Sequence, residues 1–585
     1  MDTKTRHLLV LFYSTITLAF VVIIALSQRS YQDAWILEDI FIPTVLYALV
    51  FASVVVIMDD NRVVALICAS FIIILNAIPN LKYQLFYGTY DSVGHFGFIK
   101  NLLSLGSVPE VGFYSKTYSD FPGTHILIGS FSLVAGVDPN VGIKFVTSTI
   151  FGVIPLLTYL LTNQVFDKKL QKYIVVASGL PIVISYVLTG TTFGAILFCI
   201  LFYLLFKRNL SKENKRRYTL TLIIVAFGLL FSHAVTMLSL VIFLCIMFFL
   251  MKFFYIAKKA SPNILSRTIT GILSLLLISF IAWLMYRANF VFETFIEAMQ
   301  RLLIGGTVKT PIPTRFFEIP LPEQLKIFML KHIKDAVIIT LSFAGFYILL
   351  KKFKRKNGQL FKNFYAPLTC LLGAILLVVT FQFVTNFGEI EYRRFLDYAM
   401  LFSPFFAGIF LWHVSELLKT TVKKKWFSTL IVALILFVCI LISIVQIFPY
   451  QPLVPRANVL SQNLPENEYI SDFRMVNTIY QQEMILFAEK FSPKEAIVTS
   501  DTVTRWQIFG FANENFSSRY IWYNPLQPHI NNENAQWNLF LLHYLGRAGP
   551  LSEKVEYRTK EVINNLRNTL GNTIYDNGES FIISK

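Results

Sequence analysis

Long apolar runs alternate with short polar breaks from the N-terminus to about residue 448. Most runs hold about 16 to 22 residues dominated by Leu, Ile, Val and Phe, the length a helix needs to cross the hydrocarbon of a bilayer. Spans are predicted at 8–26, 40–58, 63–79, 141–161, 173–189, 193–206, 218–232, 234–256, 268–288, 335–350, 365–384, 395–413 and 427–447. The expected fold class is a mainly α, polytopic membrane protein with about thirteen transmembrane helices.

Two regions depart from that pattern. In the segment 80–140, Phe96, Ile99, Leu102 and Leu103 recur at helical spacing with Lys100, Asn101 and Ser104 between them. That periodicity predicts an amphipathic helix lying on the membrane surface, with Asp91 at its cap and His95 one turn along. The run Phe121 to Gly136 is apolar but short. It reads as a second surface or half-inserted helix, because counting it as a span would invert every later loop. After Phe448 the composition turns polar, so the chain divides into a transmembrane module, 1–448, and an external soluble α/β domain, 449–585. Within the latter, Ala496 to Ser500 reads as a strand and Glu553 to Leu570 as a helix. Thr573 to Ser584 reads as a hairpin turning on Asn577-Gly578.

The hydrophobic fraction of 55% agrees with a membrane class, and the net charge of +17 sits in the loops between spans. Lys4, Arg6, Lys168, Lys207, Arg208, Lys258, Lys351 to Lys356 and Lys423 to Lys425 fall on alternate loops. That is the distribution of cytoplasmic loops, not of a nucleic-acid-binding surface. It places the N-terminus in the cytoplasm and the C-terminal domain outside a plasma membrane. All five cysteines fall inside apolar runs and read as small core residues.

With this topology the chemistry-bearing residues gather outside: Asp91, His95, Asp120, His125, His233, Thr236, Glu389, Glu391, Arg393 and Arg394. Polar groups at span ends are costly in lipid and are functional candidates by default. Each also has a plainer reading. Asp91 can be a helix cap, His95 an interfacial aromatic, Asp120 a solvated loop residue and His233 a turn donor. Arg393 and Arg394 can clamp a phosphate or diphosphate or can anchor a span end. Glu389 and Glu391 can orient those arginines, or Glu391 with Asp91 can hold a divalent metal. No Ser-His-Asp arrangement, HExxH, Walker loop or GxGxxG fingerprint is present in the sequence.

Tyr90-Asp91, His95, Leu105-Gly106, Tyr118, Phe121-Pro122 and His125-Ile126, with Tyr392-Arg393-Arg394-Phe395 and Ile574 to Gly578, carry a family resemblance. The chain resembles the GT-C superfamily of membrane glycosyltransferases, especially the protein-mannosyltransferase and aminoarabinose-transferase-like branch of archaea and bacteria. The resemblance implies transfer of a sugar from a polyprenyl- or dolichyl-phosphate donor to a protein, glycan or lipid acceptor on the outer face. It implies Asp91, with His95, as the catalytic group that accepts or positions the acceptor hydroxyl. It implies Arg393 or Arg394 as the phosphate ligand; Glu391, His125, His233 and Asp120, gathered on the same side of the membrane, are the other candidate substrate-binding residues. The chain departs from the pattern in having Ser92 where many relatives carry a second acid, which leaves a Mg or Mn requirement open. Two other expectations are kept: a polysaccharide polymerase or ligase using a diphosphate-linked oligosaccharide, and a flippase of lipid-linked saccharides. The latter would carry mid-span charges and inverted repeats, and the sequence has neither.

Overall fold

A computed structural model of the chain describes residues 2–27, 38–82, 85, 90–108, 118–180, 190–210, 214–257, 264–289, 321–353, 366–385, 397–422, 425–447, 479–493, 498–500, 537–541, 572–576 and 580–584, with isolated positions at 291–293, 296, 300, 508, 511 and 512. The described residues up to 447 are helical with short connections. In order they are α1 (Thr3–Leu26), α2 (Glu38–Ile57), α3 (Asn61–Lys82), α4 (Tyr90–Leu105), α5 (Gly123–Ala135), α6 (Pro139–Thr149) and α7 (Val153–Thr162). There follow α8 (Lys168–Ala177), α9 (Gly190–Leu210), α10 (Lys215–Ser232), α11 (Ala234–Ala257) and α12 (Ile264–Tyr286). The bundle closes with α13 (Leu321–Phe353), α14 (Ala366–Thr385), α15 (Ser403–Val422) and α16 (Lys425–Ile447).

Short polar residues start several of these helices. Asp2 accepts the Thr5 amide at 2.7 Å, Asp138 accepts that of Asn140 at 2.7 Å with Pro139 following, and Asp167 accepts those of Lys169 and Leu170. A single 3-10 turn, Ile150–Gly152, joins α6 to α7, so the two run on as one apolar helix from Pro139 to Thr162. Among the described residues seven helices are long and apolar enough to cross a membrane: Thr3–Leu26, Ile40–Ile57, Asn61–Lys82, Pro139–Thr162, Thr192–Leu210, Ala234–Phe253 and Trp426–Ile444. The other expected spans meet shorter or less apolar helices among the described residues, and 181–189 lies outside them. At 13 residues, α5 is shorter than a crossing helix.

Helices α1, α2, α6, α7 and α8 pack against α3, which buries Val64, Cys68, Phe71, Leu75 and Ile78. Helix α1 sits outermost, with Tyr13, Phe20 and Ile24 buried and Leu8, Leu11 and Leu18 facing outward, as lipid contact requires. One end of the bundle is laced by basic residues. Arg6 pairs with Asp60 at 3.0 Å, Arg62 Nε donates to Tyr159 Oη at 3.1 Å, Asn61 donates to Gln171 at 2.7 Å, and Lys172 donates to the Val56 carbonyl at 2.6 Å.

Among its described residues the C-terminal part contributes α17 (Ile479–Phe491) and four strands, β1 (Val498–Ser500), β2 (Trp537–Leu541), β3 (Asn572–Asp576) and β4 (Ser580–Ser584). They form one sheet in the order β1-β2-β4-β3, with β1 parallel to β2 and the other pairs antiparallel. The strand expected at 496–500 is β1, and β3 with β4 is the expected hairpin. Its Asn577-Gly578 turn and the helix expected at 553–570 lie outside the described residues. This part does not stand apart from the bundle. Met484, Ile485, Ala488, Ile508, Phe511 and Ile582 share one apolar cluster with Val93, Phe96 and Ile99 of α4 and with Ile128 of α5.

Candidate functional site

Helix α4 differs from the surface helix that its periodicity predicts. Ser92 through Ile99 are buried on every side, because α5 and α6 cover one face and the C-terminal cluster covers the other. Tyr90 is already helical, so Asp91 lies within the helix rather than capping it. The backbone of Asp91 is described and its side chain is not. One turn along, His95 is 2% exposed and meets His125, 1% exposed, on the first turn of α5. His95 Nδ1 and His125 Nε2 are 2.8 Å apart, so one imidazole donates and the other accepts. The Tyr118 ring lies 4.3 Å from that of His95, and the Phe98 ring 4.5 Å from that of His125, centroid to centroid. An aromatic box therefore fixes both rings.

The turn leading into α5 brings in a second pair. The Phe121 amide donates to the Tyr118 carbonyl at 3.2 Å, which turns Asp120 toward the end of α12. There Arg287 Nε stands 3.6 Å from Asp120 Oδ1, and Trp283 Nε1 donates to the Asp120 carbonyl oxygen at 3.1 Å. Burial pushes the Asp120 carboxyl pKa up, and the Arg287 guanidinium opposes that rise. The turn also abuts the C-terminal end of α10. A Cβ on Gly123 would stand 2.8 Å from Ser232 Oγ and 3.0 Å from the Phe231 carbonyl oxygen, so only glycine fits without movement.

A third cluster follows directly. His233 links α10 to α11, and its Nδ1 accepts the Thr236 amide at 3.2 Å and lies 2.9 Å from Thr236 Oγ1. The imidazole thus takes the place of a capping side chain at the start of α11. Tyr398, just ahead of α15, donates its hydroxyl to Thr236 Oγ1 at 2.8 Å. This contact joins the start of the 395–413 segment to the same end of the bundle. Of the expected site residues, the structure brings together His95 with His125, and Asp120 and His233 through the Gly123–Ser232 contact. Glu389, Glu391, Arg393 and Arg394 lie outside the described residues.

Three residues of this end escaped the sequence reading: Arg287, Trp283 and Tyr398. Arg287 closes an apolar run and so passes for an interfacial anchor. The two readings given for Arg393 and Arg394, a phosphate clamp or a span-end anchor, apply to it equally.

No protein-family model matches the chain, and no curated protein matches it. Among solved structures it is similar to the Archaeoglobus fulgidus oligosaccharyltransferase in complex with Zn and sulfate, with a TM-score of 0.47 and 14% identity, covering 89% of this chain and 72% of that one. The apo form of that protein gives 0.46 and 14%, covering 83% and 69%. Archaeal oligosaccharyltransferase AglB from Archaeoglobus fulgidus, in complex with an inhibitory peptide and a dolichol-phosphate, gives 0.44 and 13%, covering 81% and 69%. The likeness is distant.

A divalent metal was expected on Asp91 and Glu391. Among the described residues no three His, Cys, Asp or Glu side chains converge as a metal site. His95 and His125 each spend a ring nitrogen on the other. The Asp91 side chain and Glu391, the two ligands expected, lie outside the described residues.

Proposed function

We propose that the chain is an integral-membrane glycosyltransferase of the GT-C type, moving a sugar from a polyprenyl- or dolichyl-phosphate carrier to an acceptor at the outer face. The observation that supports this most is the segregation of polar residues between the two ends of the bundle. Arg6, Arg62 and Lys172 are bonded together with their partners at one end. The His95–His125 pair, Asp120 with Arg287, and His233 with Thr236 and Tyr398 occupy the other. Basic ends stay cytoplasmic. The acid-and-histidine end then faces outward, where a carrier lipid presents its phosphate. The same reading takes the bundle to about thirteen spans and puts 449–585 outside as an α/β domain.

In this reading Asp91 accepts or orients the acceptor hydroxyl as it attacks the anomeric carbon. Its position one turn before a buried imidazole pair favours a fixed geometry. The His95–His125 pair holds the first turn of α4 against α5. Arg393 and Arg394, just upstream of Tyr398, neutralise the phosphate as it leaves. A flippase would carry charges at mid-span, and the ion pairs described above lie at the ends of the bundle.

The test is sugar transfer by purified protein from a radiolabelled polyprenyl-phosphate hexose. Asp91→Asn is expected to lower turnover by about 10²- to 10⁴-fold with unchanged thermal melting. Equal turnover in the two proteins removes Asp91 from the mechanism. Turnover only with diphosphate-linked oligosaccharides replaces the donor assignment.

A further inference from the structure

The Asp120–Arg287 pair is loose on both sides. The Nε to Oδ1 distance of 3.6 Å is too long for a hydrogen bond. Among the described residues, no other group bonds the Asp120 carboxylate or the two Nη nitrogens of Arg287. The Asp120 side chain is only 11% exposed, so a carboxylate is held largely out of water with one weak partner. The Arg287 side chain is 48% exposed and presents an unused fork at the surface. A structural ion pair of this burial is normally short and hydrogen-bonded. A loose one is an exchangeable contact.

The neighbouring turn supplies further donors. Helix α5 begins at Gly123, and its cap residue, Pro122, has no side chain to bond the first amides. The positive end of the helix is therefore left without an acceptor from its cap. Thr124, on that turn, is buried at 2% exposure with its hydroxyl unbonded among the described residues. A guanidinium fork, an uncapped helix start and a spare hydroxyl are the donor types that hold a phosphate group.

We propose that Arg287, with Thr124 and the first turn of α5, binds a phosphate group that displaces Asp120. The phosphate is the headgroup of a lipid-linked donor or the free anion. The lipid identity rests on the transferase reading; the anion site does not.

The experiment is equilibrium binding of polyprenyl phosphate to the purified full-length protein in detergent. Uncharged polyprenol serves as the control lipid and inorganic phosphate as a competitor. Arg287→Ala is expected to weaken polyprenyl-phosphate binding by about ten- to a hundredfold, leaving polyprenol binding unchanged. Arg287→Lys restores part of the loss, and Thr124→Val weakens binding less. Asp120→Asn removes the competing carboxylate and is expected to tighten binding. Displacement by inorganic phosphate assigns the site to the free anion, and resistance to displacement assigns it to the lipid headgroup. Unchanged binding in Arg287→Ala overturns the proposal. So does equal weakening in Arg287→Ala and Asp120→Asn with a matching drop in melting temperature, which is the signature of a structural pair. Wild-type protein that binds neither probe overturns it too. Arg287-dependent binding without any sugar transfer sustains this site and removes only the transferase reading.

Discussion

His95 and His125 each give a ring nitrogen to the other at 2.8 Å inside an aromatic box, so neither nitrogen is available to a substrate while the pair is intact. Replacing one partner strands the other's polar atom in a buried site, a loss of about 1 to 3 kcal/mol. His125→Leu is therefore expected to lower thermal stability in detergent by that amount, and an unchanged melting curve would contradict the pairing. Asp120 gives a signed pH dependence. Its folded pKa lies above its unfolded one. Between those two values the unfolded chain releases its proton first, so stability falls as pH rises. The Asp120 contribution is present in acid and lost as pH rises through the folded value. Asp120→Asn should abolish that slope and melt no lower than wild type at neutral pH. Both histidines and Asp120 were legible as polar residues in a segment between spans. Their partners were not: His125 lies 30 positions from His95, and Arg287 hides at the end of an apolar run.

Elements tell a similar story. The long apolar helices were legible because 3.6-residue turns of Leu, Ile and Phe carry their own signal. Helix α4 was misjudged because its second apolar face meets residues 484–582, and no local pattern reveals a partner so far along the chain. Lys100 fastens the two parts, donating from Nζ to the Phe511 carbonyl at 2.8 Å. Burial pushes its ammonium pKa down, with Glu489 and Asp138 acting against the shift. Lys100→Met should weaken the docking by about 1.5 to 3 kcal/mol, read as faster proteolysis of the C-terminal part while the bundle stays protected. Helices α13 and α15 approach more closely still. A Cβ on Gly345 would overlap the Phe406 carbonyl oxygen, so these backbones touch as small-residue contacts allow in membranes. Gly345→Val should separate them and lower the melting temperature sharply; tolerance of valine would refute the contact.

At the scale of the molecule, the two polar ends and the shared C-terminal cluster define one assembly rather than a bundle with an appendage. That has a consequence for how the chain is made. Lys100 and Phe511 are 411 positions apart, and Ile582 closes the same cluster. At about 5 to 20 residues per second, roughly 20 to 80 s separate the synthesis of one partner from that of the other. Throughout that interval the nascent chain carries α4 with Val93, Phe96 and Ile99 lacking their final cover. The turn that bears Asp91 is thus an early product that matures last, and a cell making this protein has to shelter it until translation has passed the final strand.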